Sequence, residues 1–299
     1  MKGALAGLAL LASMAIAVPV DIESRSIADD VFSKLVLYSQ WSAAAYCMNN
    51  NDAPGNKVTC PVGNCPLVEA ADTVTTTDFE NTLITDDTGF VAVDKTDEVI
   101  VLAFRGSQSI PNFIDDVEFN QVPWDRCDGC LVHAGFWTAW LEIRSTVTQA
   151  IASAVAQNPD YQVIITGHSL GGAIAAIAAA EFRAAGTPAT LYTYGQPRIG
   201  NIPLSDYITN QEGGNFRVTH TDDPVPRLPP ILSDYVHISP EYHIEEGYDD
   251  ITPNEMTVYQ GDINFAGNTG TVGLNVIDHI HYFGPIGACG PICIAIPCP

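Results

Sequence analysis

Apolar residues fall into short unbroken runs and helical spacings that alternate along most of the chain. Val99-Ile-Val-Leu-Ala-Phe104 is apolar without a break, which predicts a strand covered on both faces. Phe90–Val93, Tyr161–Thr166, Leu191–Tyr194 and Phe216–His220 predict further short strands. Phe136, Trp140, Ile143, Val147, Ile151 and Val155 recur at helical intervals, so a helix is expected over Gly135–Gln157, ended by Asn158-Pro159. Ile27–Ala45 reads as another helix, and Ser169–Ala185 as a helix of small residues stopping at Gly186. Strands and helices alternate, and Gly and Pro are spread evenly without a linker. The pattern predicts a single α/β domain with a mostly parallel central sheet.

The first residues lie outside that alternation. Lys2 precedes an apolar run, Gly3–Val18, that ends in Ala15-Ile-Ala17 before Pro19, the layout of a secretory signal peptide over residues 1–17. The run is short for a bilayer and no later segment matches it, so no transmembrane anchor is expected. Val18–Arg25 is a propeptide candidate, which leaves residues 26–299 as the folded domain.

Composition narrows the partners. With 46% hydrophobic and 16% charged residues the chain is ordered and globular. Its 35 acidic residues against 12 Lys+Arg, a net charge of −23, repel phosphate backbones and anionic membranes, so nucleic acid is excluded. In an exported chain eight cysteines imply disulfides. Cys60/Cys65, Cys127/Cys130 and Cys293/Cys298 are close enough to close local loops, and Cys47 with Cys289 would staple the two ends of the chain. No cysteine cluster comes with histidines at zinc spacing, and no metal or organic cofactor is implied.

The chemistry enters at Gly167-His-Ser-Leu-Gly171, between a predicted strand and a predicted helix. That context is what a nucleophile elbow requires: the serine sits on a sharp, strained turn that tolerates only small neighbours. At a helix N-terminus, backbone N–H groups and the helix dipole favour a developing anion. A serine hydroxyl needs a base, and the base an orienting carboxylate, following in the order Ser, Asp/Glu, His. Asp222 and Asp223 follow the Phe216–His220 strand, and four histidines lie further on: His237, His243, His279 and His281. The residues alone leave two aspartates and four histidines open.

Several segments, in order, resemble the secreted fungal class 3 lipases. They are Leu102-Ala-Phe-Arg-Gly-Ser107, Gly167–Gly172, Tyr194-Gly-Gln-Pro-Arg-Ile-Gly200, Thr219–Pro230, Ser239-Pro-Glu-Tyr242 and His279-Ile-His-Tyr-Phe-Gly284. The likeness runs from about Ser26 to Cys289 and implies an α/β-hydrolase-type domain with a helical lid. Residue by residue, it implies Ser169 as nucleophile, Asp223 as acid and His279 as base. Leu170 and Ser107 would form the oxyanion hole through their N–H groups, with the Ser107 hydroxyl as an extra donor. Tyr46 would support the Ser107 side and, with Val225, Leu228 and Ile280, belong to the substrate site. The resemblance also implies the pairings Cys47–Cys289, Cys60–Cys65 and Cys127–Cys130. Asp222, where relatives often carry Asn, crowds a second carboxylate against the acid, and His281 replaces a residue that is often aromatic. The tail over 290–299 has no counterpart; a fourth disulfide, Cys293–Cys298, is inferred there.

Substrate class turns on the segment after Ser107. Ile110, Phe113, Ile114 and Val117 follow i, i+3, i+4, i+7 and share an arc of about 100°, one apolar stripe. Asn112, Asp115, Asp116 and Glu118 point elsewhere. Next to the oxyanion serine, such a stripe reads as a lid that opens at oil. The expected protein is therefore a secreted, monomeric serine esterase that hydrolyses triacylglycerols at the oil–water interface, its partner a lipid ester. A feruloyl-type esterase or phospholipase A1 on the same fold is the alternative, and a catalytically silent lipid-binding relative stands further off.

Overall fold

The computed structural model describes residues 22–24, 27–51, 54–80, 87–116, 118–248 and 250–290. The signal-peptide candidate, most of the propeptide candidate, Val117 of the expected lid stripe, and Cys293 and Cys298 of the tail lie outside the described residues.

From the N-terminus the elements are β1 (Ile22–Ser24), α1 (Asp29–Ala44), α2 (Pro66–Ala70), β2 (Thr73–Phe79), β3 (Gly89–Asp94) and β4 (Val99–Phe104). Then come α3 (Ile110–Asp116), a small hairpin of β5 (Gln121–Pro123) and β6 (Leu131–His133), and the long α4 (Ala134–Gln157). The second half alternates β7 (Gln162–His168), α5 (Leu170–Ala184), β8 (Ala189–Tyr194), α6 (Ile202–Thr209) and β9 (Asn215–His220). It closes with β10 (Glu241–Ile244), β11 (Met256–Tyr259) and α7 (Val276–His279).

Nine strands form one sheet in the order β1-β11-β10-β9-β8-β7-β4-β3-β2. Its five central strands, from β10 to β4, run parallel, while both margins are antiparallel. The outermost strand, β1, lies within the propeptide candidate and pairs with β11.

The unbroken apolar run of β4 has a direct cause. Ile100, Leu102 and Phe104 face a core shared with α4 and α5, whereas Val99, Val101 and Ala103 face a second core beneath α1. Both faces are covered, so no position alternates to polar. Gly171 to Phe182 of α5 are all buried, most of them Gly or Ala, which lets that helix lie close on β7 and β8.

The disulfides Cys47–Cys289, Cys60–Cys65 and Cys127–Cys130 are formed, and the first joins residues 242 apart in sequence. Closing so long a loop removes much of the unfolded chain's freedom. Replacing Cys47 and Cys289 together by serine should cost about 3–5 kcal/mol of stability, read as a lower denaturation midpoint. An unshifted midpoint would contradict this. Among the described residues, no helix is long and apolar enough to cross a membrane.

Candidate active site

β7 ends at His168 and α5 begins at Leu170, so Ser169 occupies the turn between them with φ 57° and ψ −128°. That positive φ is costly for a residue with a Cβ, about 1–3 kcal/mol, and persists because packing on both sides holds it. A Cβ on Gly167 would sit 2.3 Å from the Gly171 carbonyl oxygen, which is why the turn needs a glycine there. A Cβ on Gly106 would approach the His168 carbonyl oxygen to 2.6 Å and Ser169 Cβ to 2.9 Å. The segment leaving β4 therefore runs directly past the serine, and Ser107 follows at once. Leu170, as the first residue of α5, has no intrahelical acceptor for its N–H.

Three buried side chains form one line. His279 Nε2 lies 2.9 Å from Ser169 Oγ, and His279 Nδ1 lies 2.8 and 3.0 Å from the two oxygens of Asp223. All three are fully buried. A carboxylate only accepts, so Nδ1 carries the imidazole hydrogen and the Nε2 lone pair is left for the serine hydroxyl. The orientation follows from the acid, not from the serine.

Asp223 is itself held from two further directions. Val225 N–H donates to Oδ1 at 2.9 Å and the Tyr282 hydroxyl donates to Oδ2 at 2.5 Å. Burial, with Asp223 beside it, pushes the Tyr282 hydroxyl far above its ordinary range, so it remains a donor. The Asn268 amide donates to the Asp223 and Thr221 carbonyls at 2.9 and 3.0 Å. His168 ties His279 in place: its Nε2 donates to the His279 carbonyl at 2.7 Å, leaving Nδ1 to accept from the Tyr46 hydroxyl at 2.6 Å. Burial, with His279 close by, lowers the His168 pKa well below the usual imidazole range, so this ring stays neutral.

The structure separates the alternatives that the residues left open. His281 Nδ1 faces the Ile277 carbonyl, His237 Nε2 faces the Pro226 carbonyl, and His243 Nδ1 faces the Thr219 hydroxyl; none reaches Ser169. Asp222 turns away from the histidine: Oδ1 accepts from Gly273 N–H at 3.1 Å. It therefore does not crowd Asp223 from the His279 side. Tyr46 is buried with its hydroxyl on His168 and Gly106 N–H, behind the strand end rather than facing open space. Val225 is likewise fully buried and meets Asp223 through its backbone; Leu228 and Ile280 are half-buried.

The stripe of α3 faces inward. Ile110 is fully buried, Phe113 and Ile114 are half-buried, and the Phe113 ring stacks on Phe136 at 6.5 Å. Phe136 in turn stacks on His133, whose Nε2 faces the Glu118 carbonyl at 2.5 Å and whose Nδ1 caps α4. Burial lowers the His133 pKa, which keeps Nδ1 an acceptor. The end of the α3 segment is thus pinned to the start of α4.

Tyr282, His168 and Asn268 hold this line in place, and residue spacing did not single them out. Tyr282 carried a signal, standing three residues after the histidine in the Tyr-Phe-Gly tripeptide. Among the described residues, the grouping of three potential metal ligands, Cys47, Cys60 and Cys289, consists of disulfide sulfurs.

Comparison with known proteins bears on the whole chain. Residues 101–233 match the family model for lipase (class 3), and residues 5–76 match that for the lipase 3 N-terminal region. A secreted mono- and diacylglycerol lipase A from Penicillium cyclopium is 42% identical over 288 residues, 94% of each chain. The crystal structure of a mono- and diacylglycerol lipase from Aspergillus oryzae superposes with a TM-score of 0.82 at 46% identity, covering 86% of this chain and 97% of that one. A triacylglycerol lipase described as having a serine protease triad at its catalytic centre gives a TM-score of 0.78 at 30% identity, covering 89% and 99%.

Proposed function

This chain belongs to the class 3 lipases, and from that premise we propose that Ser169, His279 and Asp223 cleave acyl esters of glycerol at a lipid surface. The observation that carries the reading is the buried hydrogen-bonded line from Ser169 Oγ through His279 to Asp223. His279 Nε2 takes the serine proton as Oγ bonds to the acyl carbon. The resulting oxyanion is held by the N–H groups of Leu170 and Ser107, where the start of α5 and the segment past Gly106 converge. Collapse expels the glyceride alcohol, which takes its proton from His279. Water then attacks the acyl-enzyme with His279 again as base, and the fatty acid leaves.

The inward-facing α3 stripe favours a lid over the open, polar counterpart of a feruloyl-type esterase. Contact with lipid rests on apolar side chains, because a net charge of −23 attracts no anionic surface. Hydrolysis of a short-chain triacylglycerol should climb sharply once the substrate exceeds its solubility and droplets form. A rate that saturates smoothly through that limit, or a preference for soluble feruloyl esters, would sink the lidded reading.

One observation favours a narrower substrate class. The Penicillium cyclopium relative and the Aspergillus oryzae structure are both named mono- and diacylglycerol lipases. Rates on matched emulsions of tri-, di- and monoacylglycerol decide between the wider and narrower class. Secretion fits the disulfides, and the protein acts as a monomer in this reading, which sedimentation of the purified protein tests.

A further inference from the structure

Asp278 stands beside the base, takes no part in the Ser169–His279–Asp223 line, and is nearly fully buried at 3% exposure. Its carboxylate nevertheless meets four donors. Oδ2 accepts from the Thr221 hydroxyl and from Asp222 N–H at 3.0 Å. Oδ1 accepts from the Asn275 amide at 2.6 Å and from the Tyr248 hydroxyl at 2.8 Å. The first pair belongs to the loop that delivers Asp223. Asn275 caps α7, the four-residue helix that delivers His279, through Ile277 N–H at 3.1 Å, and Tyr248 comes from the loop after β10.

The backbone explains why such a tie is required. Thr221 sits at φ 28°, a left-handed conformation that a β-branched residue resists, two positions before the acid. Its N–H and carbonyl are held by Ile244 and Asn268, and its hydroxyl by Asp278. Without that last bond the turn has reason to relax, and Asp223 moves with it.

We propose that Asp278 is a positioning residue: its carboxylate clamps the Thr221–Asp222 turn to α7 and so sets the Asp223–His279 spacing before any substrate binds. The proposal rests on the functional reading above. A carboxylate suits the place because it accepts at both oxygens; an asparagine offers one acceptor oxygen and must leave one pair of donors facing an NH2 group.

The test is kinetic, on a dissolved short-chain ester so that lid and interface do not enter. Asp278→Asn should lower kcat roughly 10–100-fold with KM changed less than about twofold, as expected when reacting groups shift by a fraction of an ångström. Thr221→Val, which keeps the β-branch but removes the donor, should lower kcat less and add little to Asp278→Asn, since both break one contact. The downfield proton resonance of His279 Nδ1–H should move in both variants. A folded Asp278→Asn with unchanged kcat and resonance overturns the clamp, as does a rise in KM alone. If Asp278→Asn does not fold, an unchanged kcat in Thr221→Val overturns it equally. Wild type and Ser169→Ala run alongside: an inactive wild type or an active Ser169→Ala condemns the functional reading, not the clamp alone.

Discussion

Ser169→Ala should lower kcat on any carboxylic ester by a factor on the order of 10⁶, while the protein folds as before. The hydroxyl meets His279 Nε2 at 2.9 Å, and its loss leaves the His279–Asp223 pair with no nucleophile to activate. The serine's φ of 57° is no harder for alanine, so the elbow keeps its shape. What survives is binding and the N–H groups of Leu170 and Ser107, which act on a carbonyl with nothing to attack it. Turnover of a dissolved ester by the purified variant checks this, and substantial residual activity would remove Ser169 from the chemistry.

Asp223→Asn should cost a factor of about 10⁴ in kcat with KM nearly unchanged, for a reason visible in the donors around the carboxylate. Val225 N–H cannot do other than donate to Oδ1, so an asparagine must place its oxygen there. Its NH2 then falls where Oδ2 was, facing His279 Nδ1 and the Tyr282 hydroxyl. The tyrosine can rotate its hydrogen and accept. The histidine answers by moving its proton from Nδ1 to Nε2, and a protonated Nε2 cannot take the serine proton. Geometry survives while the tautomer is wrong. Steady-state kinetics with a thermal melt separates this from unfolding, and a variant within tenfold of wild type would place the orienting charge elsewhere.

Some of this was legible in the sequence because local pattern and tertiary role coincide. The Val99–Phe104 run is β4 to the residue, since coverage on both faces leaves no polar position to blur its ends. The period of Phe136 to Val155 marks α4 because one face of that helix lies on the core throughout. Gly167 is demanded by the Gly171 carbonyl four residues on, so that half of the elbow announces itself locally, whereas Gly171 is demanded by the Phe104 and Arg105 carbonyls at the end of β4.

Other elements were hidden for equally physical reasons. β2 reads Thr-Val-Thr-Thr-Thr-Asp-Phe, the composition of a strand at the sheet margin. β10 places Glu241 and His243 inward, where apolar residues are expected; Arg217 and Thr219 satisfy them, so burial leaves no hydrophobic trace. Beneath Arg217 and its hydrogen-bonding neighbours, although burial opposes ionisation, Glu241 stays below its ordinary range. α7 is four residues long, too short for any period, which is why four histidines could not be told apart from spacing. The convergence of Gly106, Ser169 and His279 spans β4, β7 and the end of the chain, and only the fold brings them together. Asp278 illustrates the limit best: adjacent to the base in sequence, it reveals its work only through Thr221 and Asp222 across the fold.

The most direct measurement is covalent. A p-nitrophenyl phosphonate ester delivers phosphorus to an activated serine and releases p-nitrophenol as it does so. Intact mass and peptide mapping of the treated protein should find a single adduct on Ser169 matched by stoichiometric p-nitrophenol, none on Ser169→Ala, and slow labelling of Asp223→Asn. An adduct on another residue, or hydrolysis that continues while Ser169 is fully modified, would contradict the assignment of Ser169 as the nucleophile.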